Sequence, residues 1–591
     1  MTYQAPIDDI MFDIQHLSHW SGVRALPQYD GIEPEDIRAA LDQFGRFCSG
    51  VVAPLSQAGD EQGARLDNGR VTLPQGYDAA YAKFVETGWQ SLAHPVDHGG
   101  MGLPRAAGAA ATEIVNAADM SFGLCPLLTD GAIDALAKNG SPEQKAIYLE
   151  NLVTGRWTGT MNLTEPQAGS DLSRIRTTAT RRADGTYAVN GSKIFITYGE
   201  HDLSENIIHL VLARTPDAPA GARGLSLFVV PKFLPQTDGT PGARNAVTCS
   251  GIEHKLGVRA SPTAMLTYED ATGFLVGEET RGLEYMFVMM TSARFAVGVQ
   301  GVAVADRATQ HAFAYARERV QSRPVDGSSG DAVPIIQHPE TVRILMRMRA
   351  TVEGCRALAI ATAGWLDLAT SADATLAREA DEMAEFLVPL VKGYSTESAV
   401  DVASLGVQIH GGMGFIEETG VARYYRDARI LPIYEGTTAI QANDLLGRKV
   451  RRDGGATARR FAAMVAETAR ALAAGDAQMQ SVADRLDAAR DDFEACLDHL
   501  LATLGQDANA AYAGSVPFLM LTGNLAAGWQ LGRSMLAAKE ALARGEAAEF
   551  MTRKCATAAY YAHNILVQCA VDRARITDGA ASLLDAELCS A

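Results

Sequence analysis

The sequence predicts an α+β fold in which a β domain lies between helical regions. Apolar residues follow helical spacing from residue 33 to residue 156, and hairpin-type turns with short β-prone runs replace that spacing between 157 and 275. Helical spacing then returns at Leu283. A change of hydrophobic period from about 3.6 to 2 and back marks a change of secondary-structure class. We therefore expect an N-terminal arm, a helical domain, a β domain, a second helical region and an appended helical domain, over residues 1–32, 33–156, 157–275, 280–450 and 456–591.

Composition excludes several classes of protein. The chain has 591 residues, of which 47% are hydrophobic, which is enough to form several domains with sizeable cores. A net charge of -18 argues against binding to a phosphate backbone as the main activity. The eight cysteines are scattered without a CxxC pair, which indicates a reducing compartment and no structural metal.

The first residues predict neither a targeting peptide nor a membrane anchor. No Lys or Arg precedes Arg24, whereas Asp8, Asp9 and Asp13 do, and this pattern fits neither a secretory nor a transit peptide. No apolar run approaches the roughly 18–20 residues that a membrane helix needs. We expect a soluble cytoplasmic protein with no membrane, metal or nucleic-acid partner.

The N-terminal arm and the first helical domain are separated by a change in pattern. Pro6, Gly22, Pro27 and Gly31 interrupt any long periodicity in the arm. In the first helical domain, helical spacing runs from Ile37 to Val51 and again from Tyr77 to Val85. A further helix is expected to begin at Ser141-Pro-Glu-Gln144, which combines an N-cap residue with a proline at the first helical position.

The β domain is predicted from turns and short β-prone runs. Asp184-Gly185 and Asn190-Gly191 are both hairpin-type dipeptides, and the run from Thr186 to Val189 between them has the length of a short strand. Further β-prone runs follow at residues 193–197, 207–212 and 225–230.

The rest of the chain predicts long helices. Helical spacing from Leu283 to Arg448 is interrupted by a loop tip at residues 327–331, and the alanine-rich run from 357 to 384 strongly favours helix. Gly454-Gly455 indicates a boundary, after which further amphipathic segments follow.

One acidic residue, Glu435, stands out in the segment Leu431-Pro-Ile-Tyr-Glu-Gly-Thr-Thr-Ala-Ile-Gln441. Apolar neighbours disfavour the charged carboxylate and raise its pKa, which suits a general base. Gly436 permits close approach of the backbone, and Thr437 can cap a helix. Taken alone, the segment is better explained as an ordinary helix start with an acid and a glycine.

Three other segments carry candidate binding groups. The loop at Met161–Asp171 has small residues and two hydroxyls, so it can lie against a flat ligand or form an ordinary helix cap. Gln408–Gly414 lacks the spacing of a dinucleotide-binding loop, but its adjacent glycines can present N–H groups to a phosphate or a carbonyl. Arg319 and Arg323 either complement a helix C-terminus or capture a phosphate.

Together these segments resemble the acyl-CoA dehydrogenase family. The matching motifs occur in the family's order between residues 33 and 448: Thr164–Asp171, Lys193–Thr197, Arg294, Arg319-Val-Gln321, Gln408–Gly414, and Arg426-Asp427 leading to Tyr434-Glu-Gly-Thr437. The resemblance implies an N-terminal helical domain, a middle β-barrel-like domain and a C-terminal four-helix bundle, with FAD held between them. A long subgroup with an appended all-helical domain is matched by Gly199–Asn206 and Ile252–Gly257.

The resemblance also implies a role for each matched residue. Glu435 is similar to the base that removes the substrate's α-proton. The positions expected to bind FAD are Met161, Leu163, Thr164, Phe195, Thr197, Arg319, Gln321, Gln408, Gly411, Gly412 and Thr437. Arg319 and Gln321 resemble an arm that reaches the cofactor of a neighbouring subunit. Ser170, Arg294 and Gly436 fall where the family meets the acyl-CoA.

The implied reaction is FAD-dependent α,β-dehydrogenation of an acyl-CoA thioester to the trans-2-enoyl-CoA. The subgroup implies a short-chain or 3-methylthiopropanoyl substrate, and we expect a homodimer that passes electrons to an electron-transfer flavoprotein. In such a site the N–H of Glu435 and the flavin ribityl chain hold the thioester carbonyl, and hydride leaves the β-carbon for flavin N5.

Three alternatives stay open at this stage. An acyl-CoA oxidase shares every motif but passes its electrons to oxygen. A non-catalytic relative that binds DNA needs a basic face, which the net charge of -18 disfavours. A purely structural helical protein would bind no coloured cofactor.

Overall fold

The computed structural model describes residues 3–236 and 238–583, so the last eight residues of the expected appended domain, including Cys589, lie outside it. Within the described residues the helices are α1 (Ile7–Leu17), α2 (Trp20–Val23), α3 (Pro34–Phe47), α4 (Ser56–Gln62), α5 (Tyr77–Glu86), α6 (Arg105–Ala118), α7 (Met120–Asn139), α8 (Pro142–Val153), α9 (Gly282–Glu318), α10 (Pro339–Leu368), α11 (Ala374–His410), α12 (Val421–Ala428), α13 (Thr438–Asp444), α14 (Ala456–Ala473), α15 (Ala477–Leu504), α16 (Ala508–Ala513), α17 (Ser515–Ala543), α18 (Ala548–Asn564), α19 (Gln568–Asp578) and α20 (Ala580–Leu583).

The strands lie between α4 and α5 and between α8 and α9. They are β1 (Arg65–Asp67), β2 (Arg70–Thr72), β3 (Trp157–Asn162), β4 (Thr178–Arg181), β5 (Tyr187–Thr197), β6 (Asn206–Arg214), β7 (Leu225–Pro231), β8 (Phe233–Pro235), β9 (Pro241–Arg244), β10 (Val247–Ile252) and β11 (Thr263–Val276). The predicted α+β class is therefore confirmed.

The N-terminal arm contains a helix that the glycine and proline pattern did not predict. Helix α1 places Ile10, Ile14 and Leu17 in the core, where it packs against α10 and α17. The interruptions lie outside it, because Pro6 stands at its N-terminal boundary and Gly22 follows it. The arm thus contacts both the long-helix region and the appended domain.

The predicted start of α8 is confirmed by its hydrogen bonds. The Gln144 N–H donates to Ser141 Oγ at 3.2 Å, and the Ser141 N–H donates to Gln144 Oε1 at 3.0 Å. This reciprocal pair forms a capping box, with Pro142 at the first helical position. Local sequence therefore specifies where this helix begins.

The middle domain is barrel-like, as the family resemblance implies. Strands β6, β7, β11, β5 and β4 pair in sequence around a ring, and one bridge between β4 and β6 closes it. Strand β3 adds to β6 in parallel and β10 adds to β11. The inner residues of these strands are almost entirely buried.

The second predicted turn, Asn190-Gly191, is wrong. Strand β5 continues through both residues, with Asn190 opposite Thr178 of β4 and Gly191 opposite Tyr268 of β11. A Cβ on Gly191 would lie 2.5 Å from Thr177 Oγ1, so the glycine permits a close approach of neighbouring backbone and makes no turn. Asp184-Gly185 does form the turn that precedes β5.

Three long helices, α9, α10 and α11, form the centre of the C-terminal half, with short α12 and α13 beside them. A Cβ on Gly298 would lie 2.4 Å from the Val391 carbonyl oxygen, so α9 and α11 approach each other closely. Among the described residues, α9 alone is long and apolar enough to span a membrane, but 61% of its apolar window is buried against other helices. Helix α9 is therefore a mostly buried core helix, and its 18-residue apolar window corrects the expectation that no segment has the length and composition of a membrane helix.

The appended helices pack on this centre through α17 and α18, which contact α10 and α11. A buried ionic group joins the parts: Lys554 Nζ lies 2.6 Å from Asp9 Oδ1 of the arm and 3.2 Å from Glu353 Oε2 of α10. The appended helices are therefore continuous with the core around α10.

Candidate active site

The segment between α12 and α13 holds Glu435 in an unusual backbone conformation. Its φ of +53° lies in the left-handed region, which non-glycine residues rarely adopt. Such a conformation costs on the order of 1–3 kcal/mol and persists only where the surroundings impose it. Strain of this kind is concentrated at functional sites, which singles out this half-buried carboxylate.

Two side chains hold the turn. Lys392 of α11 donates from Nζ to the carbonyl oxygens of Leu431 at 2.8 Å and Gly436 at 2.6 Å. Gln441 of α13 donates from Nε2 to the carbonyl oxygens of Glu435 at 3.4 Å and Gly436 at 3.3 Å. The backbone on both sides of the carboxylate is thus fixed by buried donors.

Gly436 and Thr437 complete the turn and begin α13. Gly436 has a φ of +90°, and a Cβ there would lie 2.7 Å from Gln441 Nε2. Only glycine fits this position without displacing Gln441. Thr437 caps α13, because its Oγ1 accepts a bond from the Ile440 N–H at 3.3 Å.

The electrostatic surroundings of Glu435 place the pKa of its carboxyl near neutral pH. Burial raises the pKa of its carboxyl to about 7, and the positive charges of Arg294 and Lys392 oppose that rise. A carboxylate whose pKa lies near the working pH is an effective proton acceptor. The sequence-based expectation of a raised pKa thus agrees with the environment that the fold provides.

Arg294 lies on α9 beside this carboxylate. Its side chain is buried, with Nη1 3.6 Å from Asp444 Oδ2, and its Nε has no hydrogen-bond partner among the described residues. A buried guanidinium with an unused donor is expected to meet a further acceptor, because leaving such a donor unpaired is costly.

Two segments expected to bind the flavin, far apart in sequence, are brought together. The Ile194 N–H donates to the Thr164 carbonyl oxygen at 2.9 Å, and Lys193 Nζ lies 2.9 Å from both the Leu163 carbonyl oxygen and Glu165 Oε1. Met161 and Leu163 are buried.

The exposed side of the same joint carries an aromatic ring and hydroxyls. Phe195 has a φ of +60° and is 57% exposed, although it is a large apolar residue. Thr164 and Thr197 are half-buried. An apolar platform edged by hydroxyl groups matches a flat heterocycle with a polar rim, so these residues fit the ring system of FAD.

The remaining cofactor positions lie at the other end of the bundle. Arg319 and Gln321 follow α9 in an exposed segment. This segment pairs with the chain near Val333, where the Gln321 N–H donates to the Val333 carbonyl oxygen at 3.0 Å. Gln408, Gly411 and Gly412 are exposed where α11 ends. The two groups are neighbours, because His410 stacks on Tyr315 at 4.3 Å.

This second group is distant from the base. Lys392 and His410 are 18 residues apart on α11, which corresponds to roughly 27 Å of helix at 1.5 Å per residue. Ser170, expected to meet the acyl-CoA, lies exposed in the loop after β3. The expected site residues therefore lie in separate groups of one chain: the turn of Glu435, the platform of Thr164, Phe195 and Thr197, and the exposed group around Gly411.

Several side chains at the site were missed by the sequence reasoning. They are Lys392, Gln441 and a buried chain in which Asn116 Oδ1 accepts from Gln300 Nε2 at 2.8 Å and Gln300 Oε1 accepts from the Tyr434 hydroxyl. Lys392 did carry a signal, since it is one charge in the apolar run Phe386–Tyr394. A lysine in such a run is rarely buried without a partner.

Comparison with known proteins identifies the family. Three models of acyl-CoA dehydrogenase domains match in chain order: the N-terminal domain at 34–156, the middle domain at 160–271 and the C-terminal domain at 280–449. A fourth model, acetyl-CoA dehydrogenase C-terminal like, matches residues 461–587. The chain belongs to the acyl-CoA dehydrogenase family. It is an FAD-dependent oxidoreductase, as the motifs predict.

Curated acyl-CoA dehydrogenases match the chain over most of its length. The 3-methylmercaptopropionyl-CoA dehydrogenase of Ruegeria pomeroyi is 69% identical over 588 residues and covers 100% of both chains. The broad-specificity linear acyl-CoA dehydrogenase FadE5 of Mycobacterium tuberculosis is 34% identical and covers 95% of both. The appended helices are thus part of what these acyl-CoA dehydrogenases share with the chain.

Solved structures show the same fold. An acyl-CoA dehydrogenase from Bacillus anthracis complexed with FAD is 22% identical with a TM-score of 0.74, covering 94% of this chain and 90% of its own. Butyryl-CoA dehydrogenase from Megasphaera elsdenii is 26% identical with a TM-score of 0.58, covering 70% and 98%. The shorter match is consistent with a core dehydrogenase fold to which this chain adds helices.

Proposed function

We propose that this acyl-CoA dehydrogenase oxidises 3-methylthiopropanoyl-CoA or a similar short acyl-CoA to the trans-2-enoyl-CoA, with Glu435 as the base. The observation that carries the base assignment is the half-buried carboxylate at φ +53°, whose pKa burial raises to about 7. The substrate assignment is supported by the 69% identity to 3-methylmercaptopropionyl-CoA dehydrogenase across the full length of both chains.

The proposed reaction converts the Cα–Cβ single bond of the acyl group into a double bond. The Glu435 carboxylate takes the α-proton, the Cα–H electron pair becomes the second bond of the alkene, and the β-hydrogen leaves with its electron pair. The Glu435 N–H donates to the thioester carbonyl oxygen and stabilises the charge that develops there. FAD, when bound, supplies the acceptor for the hydride at N5.

The residues around the base provide the rest of the site. Arg294 and Gly436 would meet the acyl-CoA near the thioester, with Ser170 at the outer edge. Met161, Leu163, Thr164, Phe195, Thr197 and Thr437 would hold the isoalloxazine ring and its nearby groups. Because the enclosed substrate displaces water from the carboxylate, the base stays reactive.

Substrate choice is tested by anaerobic bleaching of the flavin with 3-methylthiopropanoyl-CoA, butanoyl-CoA and octanoyl-CoA. We expect the second-order rate constant of flavin reduction to be highest for the first and at least about tenfold lower for octanoyl-CoA, because one unaccommodated methylene alone changes binding by about 1–3 kcal/mol. A preference for octanoyl-CoA would contradict the substrate assignment while leaving the base assignment intact.

The pH profile of the reaction follows from the same carboxylate. Only ionised Glu435 accepts a proton, and its pKa is about 7, so log kcat/KM should rise with slope one below pH 7 and level off above it. The measurement is kcat/KM between pH 4 and 9 with an artificial electron acceptor. A limb centred near pH 4.5, the ordinary glutamate value, would show that Glu435 is not the titrating group.

We infer that the protein is a homodimer in which each FAD is shared between subunits. The group around Gly411 and the turn of Glu435 lie roughly 27 Å apart along α11, and the side chains of the former are exposed in a single chain. Arg319 and Gln321 would then hold the pyrophosphate of the partner's cofactor, and Gln408, Gly411 and Gly412 the rest of its dinucleotide. A tetramer by light scattering would contradict the dimer.

Arg319→Ala should raise the Kd for FAD by about 10–100-fold, because a charge-assisted bond to phosphate contributes about 1.5–3 kcal/mol. Titration of the apoprotein with FAD measures the change. Arg343→Ala is the matched control, since Arg343 is also exposed but pairs with Glu340 on its own helix at 2.6 Å. An equal effect of the two variants would remove Arg319 from the site.

Sharing between subunits is tested by a mixed dimer. Arg319→Ala chains co-expressed with Glu435→Gln chains build one complete site if the arm crosses to the partner, and none if it does not. At an FAD concentration that leaves Arg319→Ala largely empty, we expect the mixed dimer to recover close to half of the activity of the unsubstituted protein.

We further propose a cytoplasmic enzyme whose electrons pass to an electron-transfer flavoprotein. One similar chain, 27% identical with a TM-score of 0.58, comes from a solved structure described as the electron transferring flavoprotein of Acidaminococcus fermentans. Rapid reoxidation by such a flavoprotein, without peroxide in air, is the expected result. Stoichiometric peroxide would indicate an oxidase.

A further inference from the structure

Lys392 is a fully buried lysine on α11 whose hydrogen bonds go to main-chain carbonyl groups. Its Nζ donates to the Leu431 and Gly436 carbonyl oxygens at 2.8 and 2.6 Å, and no carboxylate accepts from it within the described part of the chain. A buried ammonium is expensive to desolvate, so structural lysines of this kind usually pair with a carboxylate. A different role is needed to explain this one.

The two carbonyl groups bracket the base. Leu431 and Gly436 stand at the ends of the six-residue turn that contains Glu435, and one ammonium bridges them. Gln441 reaches only the Glu435 and Gly436 end of the turn, at 3.4 and 3.3 Å. Lys392 is thus the side chain that bridges both ends of the turn, beside the main-chain bond from the Thr438 N–H to the Pro432 carbonyl oxygen at 3.0 Å, and it supports the left-handed backbone of Glu435.

The same ammonium is a positive charge beside the carboxylate. The other charged groups that face this point are Arg294 from α9, Glu397 from α11, and Asp444 and Arg448 after the turn. Asp444 lies 3.6 Å from Arg294 and 3.4 Å from Arg448, so part of the Arg294 charge is compensated. Glu397 accepts from the Thr438 hydroxyl at 2.5 Å.

We propose that Lys392 is a positioning residue for the base: it holds both ends of the Glu435 turn through the Leu431 and Gly436 carbonyls and favours the ionised carboxylate. The inference rests on the proposed role of Glu435. Charge and hydrogen bonding act together. The ammonium fixes the backbone that carries the carboxylate, and its positive charge favours the ionised form that accepts a proton.

Two variants separate the two effects. Lys392→Met removes the donors and the charge, whereas Lys392→Gln keeps an N–H donor pair without charge. We expect Lys392→Met to lower kcat about 100-fold, since a small misplacement of a reacting group has that effect. We expect Lys392→Gln to recover part of kcat. In both, the rising limb of the pH profile should move about one unit higher, because an opposite charge is lost.

A readout other than activity is amide hydrogen exchange in the FAD-loaded enzyme. Exchange at residues 431–438 should be faster in Lys392→Met, because the bridge between the Leu431 and Gly436 carbonyl oxygens is lost. Lys449→Met is the matched control: its Nζ also ties α11 to a later segment, through Glu385 Oε2 at 2.9 Å, without touching the turn. It should leave kcat, the pH limb and exchange at 431–438 unchanged.

The outcomes distinguish this inference from the proposed function. An unshifted pH limb in both Lys392 variants, with kcat within about threefold of the unsubstituted enzyme, overturns the role of Lys392 while Glu435→Gln stays inactive. Full activity of Glu435→Gln overturns the base assignment itself. If Lys392→Met binds no FAD, the limb measured for Lys392→Gln decides, and an unshifted limb there counts against the proposal.

Discussion

Glu435→Gln is expected to keep its fold and its bound FAD and to lose about 10⁴-fold in the rate of flavin reduction, the upper range for a positioned general base. Glutamine has nearly the same shape and retains the backbone N–H and the carbonyl oxygen to which Gln441 donates. It cannot accept a proton at neutral pH. The loss therefore isolates proton abstraction from substrate binding.

Thermal stability gives an independent check on the same substitution. Burial raises the folded-state pKa of Glu435 above its ordinary value, so its protonated form favours the folded state and that contribution is lost as the pH rises through about 7. Above pH 7 the ionised carboxylate costs stability, and the neutral amide avoids that cost. We expect the Tm of the variant at pH 8 to equal or exceed that of the unsubstituted enzyme.

The rate of flavin reduction in Glu435→Gln is measured by anaerobic stopped-flow absorbance of the flavin with saturating substrate. Glu397→Gln is the matched control, because Glu397 lies on α11 near the same turn and accepts a hydrogen bond from the Thr438 hydroxyl. It should change the rate by less than about tenfold. Normal flavin reduction by Glu435→Gln would mean that another group removes the proton.

The order of the domains was predictable from the sequence because it rests on local periodicity. The capping box at Ser141 and the turn at Asp184-Gly185 are short-range features, and both are confirmed. Asn190-Gly191 has the same local chemistry as a turn but lies within β5, because pairing with β4 and β11 overrides the dipeptide preference. Helix α1 was missed because it gains most of its stability from distant helices.

The site was predictable only as separate motifs. One short segment contains Glu435, Gly436 and Thr437, so the three could be recognised together from the sequence. Lys392 lies 43 residues earlier on another helix, and nothing local indicates that its ammonium reaches the Leu431 and Gly436 carbonyl oxygens. Such contacts arise from the packing of α11 against the turn, which a single sequence does not reveal.

Arg356→Met is expected to lower the Tm by about 3–4 °C, because it removes the cation from a buried ionic cluster in the helical core. Arg356 is 2% exposed and lies 2.6 Å from Glu113 Oε1 of α6 and 2.9 Å from Asp306 Oδ1 of α9. Removing one partner from a buried ionic cluster costs about 3–5 kcal/mol, because the remaining charges are left uncompensated.

The loss should depend on pH with a defined sign. Burial keeps the pKa of Glu113 and of Asp306 above the ordinary values even beside the guanidinium, and without Arg356 both should rise further. Protonated carboxyls are then tolerated in the core, whereas ionised ones are not. The difference in Tm between the variant and the unsubstituted enzyme should be greatest at pH 8 and should shrink toward pH 5.

Two further variants identify the cause. Adding Glu113→Gln and Asp306→Asn to Arg356→Met removes the uncompensated charges and should restore most of the Tm, because a neutral buried group is less costly than an unpaired charge. Arg343→Met, on the same helix but in an exposed pair with Glu340, should change the Tm by about 1 °C or less. Differential scanning calorimetry at pH 5, 6.5 and 8 measures all four proteins. If the deficit of Arg356→Met were independent of pH, lost packing around the side chain, and not unpaired carboxylates, would account for it.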